Sequence, residues 1–249
     1  MLLGEPPSTQ GDLHFRLFGI PVRVHPFFWI AALLLGARAH QGEPGAALIW
    51  VAVVFVSILV HELGHAAMQT YYRGYPRITL YGFGGLASCG DCDRSPRSQI
   101  LILLAGPFAG FALAGVVIAI LAASGHVDGF RWGLVPVDWM PFDIKYAIEH
   151  RKPSLRDSLV YFSLFVNIAW GVLNMLPVYP LDGGQIAREL FTLGNPRRGI
   201  VLSLQISMVT AGIVVLYAIQ QNQPFMALMF GFLAYGSYQT LQNYRNHWR

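Results

Sequence analysis

The residues best placed to do chemistry are two histidines and a glutamate in one apolar stretch: His61, Glu62 and His65. On a helix, His61 and His65 lie one turn apart on the same face, so their imidazoles can bind one zinc ion from a single rigid element. Glu62 then lies beside the open coordination position, where its carboxylate can accept a proton from an activated water. The HExxH spacing therefore predicts a hydrolase that directs water at a peptide carbonyl.

Two interpretations of this motif stay open on the sequence. HExxH fixes only three positions, so it also recurs by chance, and a polar cluster inside a membrane protein can simply hold helices together. Ionisable side chains at bilayer depth, however, each cost on the order of a few kcal/mol, which makes them candidates for function. The apolar surroundings of the motif favour the metal site.

A catalytic zinc site usually has three protein ligands, and Asp182 is the candidate for the third. It lies in the run NMLPVYPLDGGQ, residues 174–185, where the chain returns to the side of the membrane expected for the HExxH motif. The alternative is that Asp182 caps a helix and forms a capping box with Gln185. Two prolines and two glycines near bilayer depth require irregular backbone inside protein or along a watery cavity, which favours the ligand.

Three further residues are candidates for substrate binding: Asn174, Gly84 and Gly85. Asn174 shares a helix face with Asn167, and each can contact substrate or form an interhelical hydrogen bond, the second being favoured for Asn167. The glycine-rich segment 77–87 is too short for a span and predicts an extended, re-entrant hairpin. A substrate helix must unwind before cleavage, and pairing with an exposed edge of this hairpin would replace its lost hydrogen bonds.

The composition places the protein in a membrane. Hydrophobic residues make up 54% of the 249 positions and charged residues only 12%, about half the charged share of an ordinary soluble domain. We expect an all-α membrane protein, a polytopic bundle of about six helices with a short extended segment near the active site. A single domain covers residues 1–249, with a disordered tail at 1–12. The first predicted span is short for crossing a membrane. The predicted spans are approximately residues 20–38, 46–72, 99–124, 158–176, 200–220 and 224–243.

The positions of lysine and arginine predict the orientation. With the amino terminus inside, eleven of the 17 basic residues fall in inner segments, as the positive-inside rule requires. Both termini are therefore expected in the cytoplasm. The net charge of +4 has the same explanation, and it requires no nucleic acid partner.

The two cysteines, Cys89 and Cys92, form a C-x-x-C pair in an inner loop. A structural zinc site needs four ligands and the chain has no second pair, so the motif alone is weak. A reducing cytoplasm should keep both as thiols, with a redox role left open.

Two separated motifs resemble the site-2 protease family of intramembrane zinc metalloproteases. They are His61-Glu62-Leu63-Gly64-His65, and Asn174-x-Leu-Pro177 leading to Leu181-Asp182-Gly183, in the expected order at the edges of apolar spans. The resemblance implies that His61, His65 and Asp182 bind one zinc ion and that Glu62 activates water. It implies a membrane protein substrate with a transmembrane helix, cleaved within the bilayer of a prokaryotic cell membrane.

The third predicted span both matches and departs from this family. Ala105-Gly106-Pro107 is similar to the start of the family's third span, but Gly110 stands where an asparagine is common. Gly106, Gly110 and Ala114 are spaced as a small-xxx-small ridge, for which we expect helix packing and no part in catalysis. The longest loop, residues 125–157, is too short for an inserted PDZ or nucleotide-sensing domain, so the chain resembles a compact member.

The function predicted from these residues is zinc-dependent endopeptidase action on peptide bonds in or near transmembrane segments. The alternatives are a membrane metal transporter that uses the same ligands, and an inactive relative that only binds helices. Transporters often contain internal repeats, and the chain has no second HExxH-like half. Substrate identity, trigger and oligomeric state stay open.

Overall fold

The computed structural model describes residues 5–36, 44–82, 84–124 and 154–246, and helices dominate its two compact units. The first unit contains residues 5–92 and 105–171, and the second contains 93–104 and 172 onward. The helices are α1 (Pro26–Leu35), α2 (Pro44–Tyr71), α3 (Pro96–Ala123), α4 (Leu155–Asn174), α5 (Asp182–Thr192), α6 (Pro196–Gln220) and α7 (Pro224–Asn246). The strands are β1 (Leu13–Leu17), β2 (Ile20–Val24), β3 (Arg77–Tyr81) and β4 (Gly84–Ser88).

Within the described residues, the three helices α2, α3 and α6 are long and apolar enough to cross a membrane. They contain 28, 28 and 25 residues, which at about 1.5 Å per residue exceeds a hydrocarbon core of about 30 Å. The bounds of α4 and α7 agree with two more predicted spans to within four residues. The protein is thus a helical membrane protein, and a count of six spans is not confirmed.

The first predicted span is wrong over its opening residues. Residues 20–24 form strand β2, and α1 has only ten residues, about 15 Å of helix. Leu13, Phe15 and Leu17 alternate with polar residues, a pattern typical of a strand, and Phe18 and Gly19 adopt the positive φ of a tight hairpin turn. Treating 20–38 as one apolar segment concealed this hairpin.

The four strands form one sheet in the order β1-β2-β3-β4, so β4 is an edge strand. β2 pairs in parallel with β3, and the two hairpins are antiparallel. The sequence predicted only the β3–β4 hairpin, and an all-α fold is therefore corrected to a helical fold with a small mixed sheet. The apolar face of the sheet is buried with side chains of α1 and α2 in a core that includes Val24, Leu80, Phe28 and Trp50.

Part of the segment expected to be a disordered tail contacts this sheet. Arg23 Nε donates to Asp12 Oδ2 at 2.6 Å, and the same guanidinium donates to the carbonyls of Pro6 and Pro7. Hydrogen bonds from Thr9, followed by the interaction with Arg23, lower the pKa of Asp12 to about 2. Residues 5–12 are therefore held by Arg23 of β2.

The two cysteines form a disulfide, which corrects the expectation of free thiols. Their Cα atoms lie 5.8 Å apart in the loop after β4, within the range that a disulfide spans. Geometry that allows the two sulfurs to meet depends on the local backbone, which the expectation based on the redox compartment did not consider.

The second unit has its own core, centred on Val178, Ala211, Phe230 and Leu233. Helix α6 begins at Pro196, where the Asn195 side chain accepts a hydrogen bond from the Arg198 amide at 3.0 Å. The contact of α6 with α7 buries apolar side chains of both helices around Phe230. This core is the support for the loop that carries Asp182.

Candidate active site

The imidazoles of His61 and His65 meet on one face of α2. Both side chains are buried, at 4% and 6% exposure, and their Nε2 atoms lie 3.1 Å apart. Two zinc–nitrogen bonds of about 2.0–2.1 Å at a tetrahedral angle place the nitrogens about 3.3 Å apart. The pair is therefore spaced to bind one ion.

Helix α3 packs directly on these two histidines through Gly106. A Cβ atom at Gly106 would lie 2.8 Å from His61 Nε2 and closer still to His65 Nε2. Gly64, between the histidines, faces α3 in the same way, because a Cβ there would lie 2.8 Å from the Ala109 Cβ. The expectation that Gly106 serves helix packing alone is thus too narrow, since its missing side chain makes room for both imidazoles.

Glu62 lies against the β3–β4 hairpin. Its side chain is 5% exposed, and a Cβ at Gly85 would lie 2.5 Å from Glu62 Oε1 and 2.6 Å from its Cδ. Burial, assisted by the Glu62 carboxylate, raises the pKa of the Tyr81 hydroxyl on β3. The carboxylate is therefore enclosed by the hairpin, and only a glycine at position 85 leaves it this room.

Gly84 starts strand β4 with a φ of 124°, in a region that side chains other than glycine rarely adopt. A Cβ at this position would meet Trp170 at 3.4 Å. Gly84 thus supports the hairpin through its backbone, whereas Gly85 adjoins the carboxylate.

Helix α4 is tied to α2 one turn before His61. Asn167 Nδ2 donates to Ser57 Oγ at 2.9 Å, which agrees with the interhelical role favoured for Asn167. Asn174 is the last residue of α4 and is buried.

Asp182, in the second unit, is the first residue of α5 and is 8% exposed. Leu181 occupies the N-cap position and makes no side-chain capping bond, and Gln185 Nε2 donates to the Pro180 carbonyl at 2.9 Å. The alternative of Asp182 as N-cap in a capping box is therefore wrong. A buried carboxylate at this position needs another explanation than helix capping.

The loop before Asp182 is fixed by close backbone packing and a serine pair. A Cβ at Gly184 would lie 2.6 Å from the Val178 carbonyl oxygen, so the first turn of α5 closes on its own loop. The Tyr179 amide donates to Ser207 Oγ at 2.8 Å, and Ser237 Oγ, 2.8 Å from Ser207 Oγ, donates to the Tyr179 carbonyl. Helices α6 and α7 thus bind both main-chain polar groups of one residue in this loop, Tyr179.

The donor set suits zinc. His61 and His65 of the first unit and Asp182 of the second are buried, and two imidazoles with one carboxylate are a typical catalytic zinc set. The space that Gly106 leaves at both Nε2 atoms fits the same conclusion.

Comparison with known proteins identifies the family. The model of Peptidase family M50 matches residues 49–216. The chain belongs to peptidase family M50. This M50 chain is 27% identical over 181 residues to Stage IV sporulation protein FB of Bacillus subtilis, covering 71% of itself and 50% of that protein. It is 25% identical over 181 residues to Zinc metalloprotease MJ0392 of Methanocaldococcus jannaschii, and the match covers 72% of this chain and 44% of that protein.

A solved structure shares the fold. The Site-2 Protease from Methanocaldococcus jannaschii superposes with a TM-score of 0.57 at 22% identity, covering 92% of this chain and 95% of that one. The chain spans half or less of the length of these two curated relatives. The resemblance seen in the two motifs is thereby confirmed at the level of family and fold.

Sequence reasoning missed several residues that shape the site: Tyr81, Gln69, Ser207 and Ser237. Gln69 lies one turn beyond His65, so the helical period that pairs the histidines could have found it. The two serines lie on α6 and α7, far along the chain from the loop they bind, and no local pattern marks them.

Proposed function

We propose that the protein is a zinc-dependent endopeptidase that hydrolyses peptide bonds in or near the transmembrane segments of membrane proteins. One observation carries this proposal: in a member of peptidase family M50, the same helix carries the buried carboxylate of Glu62 and two buried imidazoles whose Nε2 atoms lie 3.1 Å apart. The relatives described above are named for a sporulation protein and a zinc metalloprotease. A transporter or an inactive helix-binding relative has no comparable use for Glu62.

His61, His65 and Asp182 would hold the zinc ion, and Glu62 would act as the general base. A zinc ion bound there supplies Lewis acidity, which lowers the pKa of water and polarises the scissile carbonyl. Glu62 accepts the proton from the attacking water and returns it to the leaving amide nitrogen. The hairpin around Glu62 limits bulk water at its carboxylate, which strengthens its electrostatic effect on the reaction.

The edge strand β4 is the proposed binding surface for substrate. A transmembrane helix must lose its internal hydrogen bonds before a peptide bond can reach Glu62, and an added strand recovers those bonds along β4. Gly84 and Gly85 keep this edge free of side chains beside Glu62. Asn174 is the further candidate for contact with substrate.

The arrangement in the membrane is part of the same proposal. One intramembrane metalloprotease domain has about six spans and both termini in the cytoplasm of a prokaryotic cell. The three long apolar helices and the distribution of arginines support it.

The third ligand gives a direct test. Zinc content and cleavage of a membrane-helix reporter would be measured for the wild type, for Asp182→Asn and for Glu189→Gln, a control on the same helix α5. We expect Asp182→Asn to lose both zinc and cleavage while the control keeps both. If Asp182→Asn retained both bound zinc and cleavage, Asp182 would not be a zinc ligand. A wild-type protein that cleaves no membrane helix would refute the proposed function.

A further inference from the structure

Gln69 connects the zinc-binding helix to the edge strand. It follows His65 by one turn of α2 and therefore lies on the same face as both histidines. Its Nε2 donates to the Ala87 carbonyl of β4 at 3.2 Å. Its Oε1 is buried and, within the described part of the chain, has no hydrogen-bond partner.

A buried acceptor without a partner is costly, about 1–3 kcal/mol, and native proteins keep few of them. The Gln69 side chain is only 7% exposed, so bulk solvent does not satisfy this oxygen. The position of the oxygen beside the free edge of β4 points to a donor that arrives with a bound strand.

The pairing of β3 with β4 shows which backbone groups of β4 face outward. Tyr81 and Gly84 close a two-residue hairpin and form its first hydrogen-bonded pair, so Gly84 and Leu86 face β3. Gly85 and Ala87 therefore direct their amide and carbonyl groups to the free edge, which agrees with the bond from Gln69 to Ala87. Of these two outward-facing residues, Gly85 lies beside Glu62. The carbonyl of Ala87 already accepts the hydrogen bond from Gln69.

We propose that Gln69 sets the register of the substrate strand on β4. Its Nε2 closes the Ala87 carbonyl to further pairing, and its Oε1 accepts one main-chain N–H of the substrate. The substrate strand can then form hydrogen bonds with Gly85. It cannot pair with Ala87, because Gln69 already occupies that carbonyl. This inference rests on the proposed function, and within it on strand pairing along β4.

The expected consequence concerns which bond is cut. Backbone groups of a strand repeat every two residues, so a substrate can slip along β4 only in steps of two if its hydrogen bonds are to be kept. Without Gln69, a second register becomes possible. A bond two residues from the normal one then reaches Glu62.

The test uses the full-length zinc-loaded protein in detergent or vesicles. Cleavage products of a membrane-helix reporter would be mapped by mass spectrometry for the wild type, Gln69→Met and Gln69→Leu. Thr70→Val is the matched control, because the Thr70 hydroxyl bonds only to the Ala66 carbonyl within α2 in the described contacts. We expect both Gln69 variants to keep zinc and to raise KM by about tenfold, the effect of losing one hydrogen bond to substrate. Both should also yield a second cleavage product, cut two residues away from the normal site.

A second measurement varies the substrate. A series of reporters, each with one amide replaced by an ester, removes one N–H at a time. We expect the wild type to show a raised KM for one ester position beyond those that pair with Gly85, and Gln69→Met to lose that sensitivity.

A single unchanged product with unchanged KM in both Gln69 variants would overturn the inference, and so would a wild type insensitive to every ester beyond the Gly85 pairing. Either result would leave the endopeptidase proposal standing, because the wild type would still cleave. Absence of cleavage by the wild type would instead refute the proposed function.

Discussion

Replacement of Gly106 by alanine should weaken zinc binding without unfolding the protein. The added Cβ would lie 2.8 Å from His61 Nε2, whereas ordinary van der Waals contact begins at 3.4 Å, so this imidazole must move by 0.6 Å (3.4 − 2.8). His65 must move further, because the Cβ lies closer to its Nε2. Alanine in a helix interior is otherwise about 0.5–1 kcal/mol more favourable than glycine, so helix propensity cannot cause the loss.

The size of the effect follows from the tolerance of zinc sites. Ligand distances in such sites vary by only about 0.2 Å, so a shift of 0.6 Å in one ligand exceeds what the site absorbs. Changes to residues that merely support ligands already cost about 10–100-fold in metal affinity. We therefore expect Gly106→Ala to weaken zinc binding by about 100-fold, which is about 2.8 kcal/mol at about 1.4 kcal/mol per tenfold.

The assay is competition for zinc against a chelator of known affinity, with circular dichroism as a check on folding. Gly110→Ala is the control, one turn along the same helix, where the added Cβ would meet its nearest atom, the Asn167 carbonyl oxygen, at 3.5 Å. Equal zinc affinity in the wild type, Gly106→Ala and Gly110→Ala would show that α3 does not shape the metal site.

Three further outcomes are expected. Gly85→Ala should keep zinc but lower kcat by at least tenfold, because the added Cβ displaces the Glu62 carboxylate. Measurements of bound zinc and of single-turnover rates separate the effect on metal binding from the effect on chemistry. An unchanged kcat would contradict the proposed position of the base. Gly110→Ser should raise Tm, corresponding to about 1 kcal/mol of added stability. Serine has a better helix propensity than glycine, and its hydroxyl can donate to the orphaned Asn167 Oδ1. A lowered Tm would argue that this space is needed. Chelation of zinc should lower Tm, and readdition should restore it. When free zinc is 100 times Kd, bound zinc adds about 2.7 kcal/mol to the free energy of unfolding. A Tm insensitive to both treatments would count against a resident metal.

The sequence could predict the chemistry of the first unit well because that chemistry is local. His61, Glu62 and His65 lie within two turns of one helix, and the glycine-rich hairpin after it carries its own turn signal. The bounds of the long helices follow from apolar length alone. These features depend on neighbours in the chain.

The rest depends on contacts between distant segments. Gly106 resembles any small residue on a packing ridge until α3 is placed against the two imidazoles. The role of Ser207 and Ser237 depends on the path of the 174–185 loop. The β1–β2 hairpin was hidden because an apolar strand next to a short apolar helix has the composition of a span.

Whether Glu62 is the general base can be tested with the Glu62→Gln variant. Glutamine keeps the size of the side chain and leaves His61 and His65 unchanged, but it cannot accept a proton. Zinc content and reporter cleavage would be measured on the same purified sample. We expect full zinc occupancy with kcat lowered by about 10²–10⁴-fold, whereas cleavage at the wild-type rate with zinc bound would show that Glu62 is not the base.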